Sequence, residues 1–266
     1  MLALARRTLL AAAALSLLSG AALAAPLRIV ASPVPHAEIL RFVKDKLAPD
    51  LDIQVIEISG DIRPNSLVLN GDADANFFQH APYLHTEEAQ LGTTFAATAS
   101  THIEPLGIYS HKVKSLAEVP AGATVAVPNN VTNLSRALNL LQAGGLITLK
   151  AGLKDGQLAT PSDIAANPKR IAIVQVAPAQ LPRAIDDVTL SVINGNYALE
   201  AGLIPAKDAL ALEKAENNPY ANIFVTTKAL AQDPRVRRLS ALLASPEVAA
   251  FIRETYRGSV VPVHGG

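Results

Sequence analysis

Short apolar runs rich in β-branched residues, each followed by a stretch of helical periodicity, recur along this chain from Leu27 to Thr226. The first run, 27–31, leads into a helix opening at Pro35-His36-Ala37-Glu38 and reaching residue 47, and the cleanly alternating run 51–58 follows. Strands separated by whole helices cannot pair through tight hairpins; they pair through crossovers, which places helices on the faces of the sheet. The pattern predicts an α/β fold with mainly parallel strands. Further strands are expected at 73–78, 103–110, 123–127, 171–176, 188–193 and 223–226. Helices are expected to end at 67–71 and to cover 114–120, 131–143, 236–243 and 246–256. The rhythm restarts near residues 114–123, as two similar lobes with a cleft between them would require. Ligands of open α/β sheets bind beyond the carboxyl ends of strands, so those ends are where function should lie.

The amino-terminal residues and the charge balance bound the compartment and the partners. Arg6 and Arg7 precede an apolar run over 8–18, and Ala22-Leu23-Ala24 supplies the small residues a signal peptidase reads. Residues 1–24 are therefore expected to be a secretory signal, the run being shorter than the roughly 20 residues that span a bilayer. The paired arginines faintly resemble a twin-arginine signal, and Sec export is the default expectation. Removing 24 of 266 residues leaves 242, enough for two lobes with a core each. That remainder carries 21 basic and 23 acidic residues, which gives no electrostatic basis for binding nucleic acid or anionic membranes. Cysteine is absent, excluding disulfides, thiolate metal sites and a cysteine nucleophile. By the same argument a lipid anchor on an amino-terminal cysteine is excluded, and the expectation is a soluble protein free in the periplasm.

Three clusters could carry chemistry. The helix at 131–143 follows a strand directly, with Thr132 or Asn133 as its expected N-cap and Leu134, Leu138 and Leu141 as one apolar stripe. Arg136 falls in the first turn, off that stripe, where the helix dipole disfavours a cation. Either a bound carboxylate gripped by the guanidinium accounts for it, or a nearby acid pairs with a solvated arginine. The second cluster is Asn76-Phe77-Phe78-Gln79-His80-Ala81-Pro82-Tyr83, at the end of a strand and the start of a helix. His80 and Tyr83 share a face if that helix begins by Gln79. Phe78 could then support an apolar side chain while His80 and Tyr83 donate hydrogen bonds; the alternative is a buried aromatic brace with a satisfied histidine. The third cluster is Asn194 and Asn196 after a strand, with Asn222 before another. Strand-end amides suit recognition of amino or carboxylate groups, although Asn-Gly-Asn is also an ordinary turn.

Other chemistries fail on spacing. Asp72, Asp74 and Asn76 open like a calcium loop, but Phe77 stands at its glycine position and Tyr83 at its glutamate position. His80 and His85 are wrongly spaced for two ligands on one helical face, and there is no H-E-x-x-H, G-x-S-x-G, P-loop or G-x-G-x-x-G motif. No nucleophile with its base can be assembled, so no enzymatic activity and no cofactor are expected.

These residues, in order, closely resemble the methionine-binding (MetQ/NlpA) family of ABC-transporter substrate-binding proteins. The resemblance is carried by Pro35-His36-Ala37-Glu38-Ile39-Leu40, by Asp74-Ala75-Asn76 through Leu84, and by Glu104-Pro105-Leu106-Gly107-Ile108-Tyr109-Ser110. It continues in Val127-Pro128-Asn129, Thr132-Asn133-Leu134-Ser135-Arg136-Ala137-Leu138, Gln180-Leu181-Pro182-Arg183, Val192 through Ala198, and Pro219-Tyr220-Ala221-Asn222. It implies a two-lobed periplasmic-binding-protein fold of type II kind, with ligand in the inter-lobe cleft. One lobe is expected at 25–108 plus 215–266 and the other at 109–214. By this resemblance Arg136 holds a carboxylate, and Asn194 and Asn222 hold the amino acid's backbone polar groups. Phe78, His80 and Tyr83 form the side-chain pocket, and Asn133 lines the cleft. The implied role is a monomeric carrier delivering L-methionine, with D-methionine as a further ligand, to a membrane permease. Another amino acid, a dipeptide or a sulfonate is the alternative ligand, and a metal carrier using His36, His80, His85 and Glu87 is the rival of another class. The chain departs from the family pattern at Asn130-Val131, where Asp-Pro is usual, and at Ile62, where an aromatic residue is common. It also lacks the family's usual lipobox cysteine, so tethering is not expected to transfer.

Overall fold

The computed structural model describes residues 25–60, 62–152 and 157–264; the expected export segment 1–24 lies outside them. Thirteen strands are present among the described residues. In chain order they are β1 (Leu27–Ala31), β2 (Ile53–Glu57), β3 (Ala75–His80), β4 (Ala96–Ile103), β5 (Gly107–Tyr109), β6 (Thr124–Pro128), β7 (Thr148–Leu149), β8 (Ile164–Ala166), β9 (Ala172–Val176), β10 (Leu190–Ile193), β11 (Ala211–Leu212), β12 (Asn222–Thr226) and β13 (Val261–Pro262). The helices are α1 (Glu38–Phe42), continued on both sides by π-type turns, then α2 (Pro64–Asn70), α3 (Ala81–Leu91), α4 (Val131–Ala143), α5 (Leu181–Ala184), α6 (Gly195–Glu200), α7 (Pro205–Asp208), α8 (Pro234–Leu243) and α9 (Pro246–Tyr256).

Two main sheets result, in strand orders β13-β4-β12-β3-β1-β2 and β11-β5-β10-β6-β9, with β7 and β8 forming a small separate ribbon. They are less parallel than the sequence pattern predicts. In the first sheet β1 pairs in parallel with β2 and β3, whereas β12 is antiparallel to both β3 and β4. In the second, β6 is parallel to β9 and β10, whereas β5 is antiparallel to β10 and β11 to β5. β5 and β12 are entered from the connections between sheets without a crossover helix, so nothing imposes the parallel direction on them.

The chain changes sheet at Glu104-Pro105-Leu106, between β4 and β5, and returns over residues 213–221, between β11 and β12. The single strand expected over 103–110 is thus two strands in two sheets. Proline offers no N–H to a ladder, and Pro105 sits where the pairing breaks. Gly107 and Ile108, expected in the first lobe, pair in the second sheet.

Apolar side chains cover both faces of each sheet. Phe77 and Phe224 pack with Leu239, Leu243, Val248 and Ile252 of α8 and α9 on one face of the first sheet, and Val30, Leu84 and Val225 lie on the other. In the second sheet Val125, Val127 and Val192 pack against Leu134, Leu138 and Leu141, the stripe read from the sequence. Each such side chain contributes about 1.5–3 kcal/mol on full burial, which anchors α4 and sets where its first turn emerges. The helix is capped two to three residues earlier than expected. Asn130 is the cap, its Oδ1 accepting the Asn133 backbone N–H at 3.0 Å.

Candidate functional site

A cavity of about 580 Å³ lies between the two sheets and is lined from both. All seven residues singled out in the sequence border it. Phe78 and His80 stand at the carboxyl end of β3, Tyr83 in the first turn of α3, and Asn222 at the start of β12. Asn133 and Arg136 reach it from the first turns of α4, and Asn194 follows directly on β10. The cavity therefore sits at strand ends and helix starts, the position that open α/β sheets leave free for a ligand.

Arg136 is neither solvated nor unpaired. Only 3% of its side chain is exposed, and its Nε donates to Glu213 Oε1 at 2.9 Å and Oε2 at 3.0 Å. Its Nη2 donates to Glu213 Oε2 and to the Glu104 carbonyl, the latter at 2.8 Å. The Tyr220 ring lies 4.5 Å from the guanidinium carbon, a cation–π contact. Glu104 and Glu213 belong to the two connections between sheets, so one cation ties both passages together. A partly buried acid and an aromatic face offset the dipole's dislike of a cation there. Nη1 has no partner among the described residues, and Arg136 borders the cavity. Both sequence readings of Arg136 thus meet in one side chain: it is paired with an acid and retains donors for an anion.

His80 is the N-cap of α3 rather than a residue on its face. Its Nδ1 accepts the Tyr83 backbone N–H at 3.1 Å, which leaves Nε2 protonated to donate to Asn133 Oδ1 at 3.1 Å. Burial, reinforced by the Arg136 charge, pushes its pKa down to about 3, so the ring is neutral. The His80 and Tyr83 rings meet edge-on at 6.2 Å, and Phe78 and Tyr83 at 5.8 Å. Brace and pocket wall are again the same residues. Beneath them, Asn65, Asn76 and Gln79 satisfy one another's amides through four bonds of 2.7–3.0 Å. Asn76 is thereby a structural support, and Asp74, of the rejected calcium pattern, pairs with Arg28.

Asn194 shows the opposite polarity. Its Oδ1 is buried and accepts no hydrogen bond, whereas Asn133 and Asn222 direct their oxygens to histidines. A buried carbonyl-type oxygen without a donor is costly, and this one borders the cavity. The cavity thus offers unspent donors on Arg136, Asn133 and Asn222, one unspent acceptor on Asn194, and the rings of Phe78 and Tyr83.

Sequence reasoning did not single out Glu104, Glu213, Tyr220 or His102 as site residues, and it named His36 only as a metal donor. Glu104 is buried, its Oε1 accepting from His102 Nε2 at 2.8 Å and facing His36 Nε2 at 3.2 Å, and its Oε2 accepting from the Asn196 N–H at 3.0 Å. A carboxylate before a proline inside an otherwise apolar run was the available signal. Glu213 carried none, since its partner lies 77 positions away. The proposed metal donors are not brought together: His85 is exposed and outside the cavity lining, and His36 and His80 serve different asparagines. Among the described residues, the group with donor atoms close enough for an ion is instead His36, His102 and Glu104.

The sequence matches the NlpA lipoprotein family over residues 27–264. The chain belongs to the NlpA lipoprotein family. It is 40% identical over 236 residues to the D-methionine-binding lipoprotein MetQ of Escherichia coli K12, covering 88% of this chain and 85% of that one. A nutrient-binding protein from Burkholderia cenocepacia, solved bound to methionine, superposes with a TM-score of 0.84 at 42% identity, covering 89% of this chain and 99% of that one. An ABC-transporter periplasmic substrate-binding protein from Coxiella burnetii superposes at 0.83 with 36% identity, covering 89% and 100%. The α/β fold expected by resemblance is that of these substrate-binding proteins. The expected free, unanchored location is corrected: the family and its MetQ member are lipoproteins, which points to a protein held at a membrane by lipid. A cysteine count bears on one attachment chemistry and does not decide where a family resides.

Proposed function

We propose that this chain is the substrate-binding component of an ABC importer and that its ligand is methionine. The observation that carries the reading is the polarity of the cavity between the sheets. Donors from Arg136, Asn133 and Asn222 suit a carboxylate, the donor-free Asn194 Oδ1 suits an ammonium group, and the Phe78 and Tyr83 rings suit a thioether. The methionine-binding relatives support the same ligand. The two sheets are read as the cores of two lobes joined at 104–106 and 213–221, closing on the ligand as hinged binding proteins do. The role is read as binding: the polar groups form a zwitterion cradle, and relatives named for ligand or substrate binding support it. Calorimetry on protein unfolded, dialysed and refolded to remove carried-over ligand tests this: methionine should bind at micromolar concentration or below, and binding no tighter than millimolar would defeat the proposal.

A second reading has its own support. The cavity volume exceeds that of one methionine, and Ile62, 48% exposed, borders it with Val131, 49% exposed. A methionine-containing dipeptide would fill more of the space and cover both apolar groups. Competition between methionine and such a dipeptide in the same titration separates the two ligands.

A further inference from the structure

An asparagine amide accepts on one side and donates on the other, so the side facing a cavity decides which ligand group it holds. Asn222 is set by contacts outside the cavity wall. His36 Nε2 lies 3.0 Å from Asn222 Oδ1 and 3.2 Å from Glu104 Oε1. A lone pair on that nitrogen would face two acceptors; a proton satisfies both, so Nε2 carries it. His102 Nε2 faces the same carboxylate oxygen at 2.8 Å and is protonated for the same reason. Both Nδ1 atoms are buried without partners, so nothing on that side competes for the proton. Burial holds the His36 ring neutral, with a pKa of about 4.

We propose that His36, oriented by the Glu104 carboxylate, is a positioning residue that locks the Asn222 amide with its nitrogen toward the cavity. A free asparagine could turn its oxygen inward and accept from an ammonium group; one held by His36 can only donate. The lock makes this wall of the cavity selective for an anion, complementing Asn194 on the opposite sheet, and it rests on the reading that the cavity takes an amino acid. His36, His102 and Glu104 then have a use other than metal binding. The Nε2 positions that would face an ion carry the protons that hold the carboxylate.

The test has an arm without ligand and an arm with it. Nitrogen-15 NMR of the histidine rings in ligand-free protein should show His36 neutral and protonated at Nε2. Protonation at Nδ1, or stoichiometric zinc in the purified protein with loss of the Nε2–H signal, would overturn the lock. In calorimetry, His36→Leu should weaken L-methionine by about tenfold or more, the scale of one charge-assisted bond, and L-methioninol, which lacks the carboxylate, by about threefold at most. In an Asn222→Ala background the same substitution should add nothing. Equal losses for the two ligands, or an undiminished loss on top of Asn222→Ala, would show a merely structural role. If His36→Leu does not fold, His36→Gln substitutes, because its amide N–H can meet the same oxygens. It should bind methionine within about threefold of the original, and a tenfold loss in folded protein would refute the lock. A protein with the Nε2 tautomer that binds no methionine would fail the ligand reading and leave the lock standing.

Discussion

On the proposed function Arg136 carries two loads, and substitutions can separate them. Replacing it with methionine keeps most of its volume but leaves the Glu213 carboxylate and the Glu104 carbonyl without their donor. Breaking a buried ion pair from one side costs about 3–5 kcal/mol. Glu213 is 16% exposed and still accepts the Leu106 N–H at 3.2 Å, so the lower figure, about 3 kcal/mol, applies. For a chain of this length that lowers Tm by roughly 6–12 °C. Binding should fall independently, by about 1.5–3 kcal/mol for the charge-assisted bonds to the ligand carboxylate, or roughly 10–150-fold in Kd. Adding Glu213→Gln removes the stranded charge, so the double variant should regain part of the lost Tm and none of the lost affinity. Thermal melts and calorimetry on the two variants measure these terms separately. An Arg136→Met protein with unchanged Kd would refute the ligand role, and unchanged Tm would refute the strapping of the two connections.

Three further outcomes follow from the same geometry. His36, His80 and His102 are held neutral by burial at pKa values of about 4, 3 and 3, against about 6.5 when unfolded. Unfolding therefore takes up protons below about pH 6.5, and the stability present above that pH is lost on acidification toward about 4. Glu104, raised by burial, opposes this by releasing protons on unfolding, and Glu200, raised to about 7 by partial desolvation and the Glu104 charge, does so less strongly because the residue is exposed and solvent screens it. The histidines outnumber them, leaving a fall of roughly 1–3 kcal/mol per pH unit near pH 5.5 in urea titrations; stability that rises there would contradict the assignment. Phe78→Ala should weaken methionine by about 1–2 kcal/mol of lost apolar contact while sparing alanine, and equal losses for both ligands would remove Phe78 from the side-chain pocket. A Cβ at Gly195 would stand 2.8 Å from the Glu104 Cβ. Gly195→Ala should therefore displace Glu104, costing about 1–3 kcal/mol of stability and weakening binding together; an intact Kd would show that Glu104 does not govern the site.

Local signals made much of this legible. The strand 27–31 and the helix 131–143 match β1 and α4 in their bounds, because the first is a short β-branched run and the second has a leucine stripe ended by Gly144. The seven residues that border the cavity could be singled out because they lie at strand ends and helix starts within long family motifs. What stayed hidden depends on partners far along the chain. That 103–110 is two strands depends on how Leu106, Gly107 and Ile108 meet the second sheet, which periodicity does not encode. Asn130 caps α4 rather than Thr132 or Asn133 because β6 ends at Pro128 and sets the entry angle. The buried cluster of His36, His102 and Glu104 gathers residues from the turn leading into α1, the end of β4 and the first passage between sheets. No spacing rule links His36 to the other two, and only the fold makes them neighbours.

The account stands most directly on whether the cavity takes a zwitterion with a thioether side chain. Titrating refolded, ligand-free protein with L-methionine, with its decarboxylated amine and with its deaminated acid compares the polar groups one at a time. The account predicts that methionine binds at micromolar concentration or below and that each analogue binds at least about tenfold more weakly. Equal affinity for all three, or none of them bound below millimolar, would contradict it.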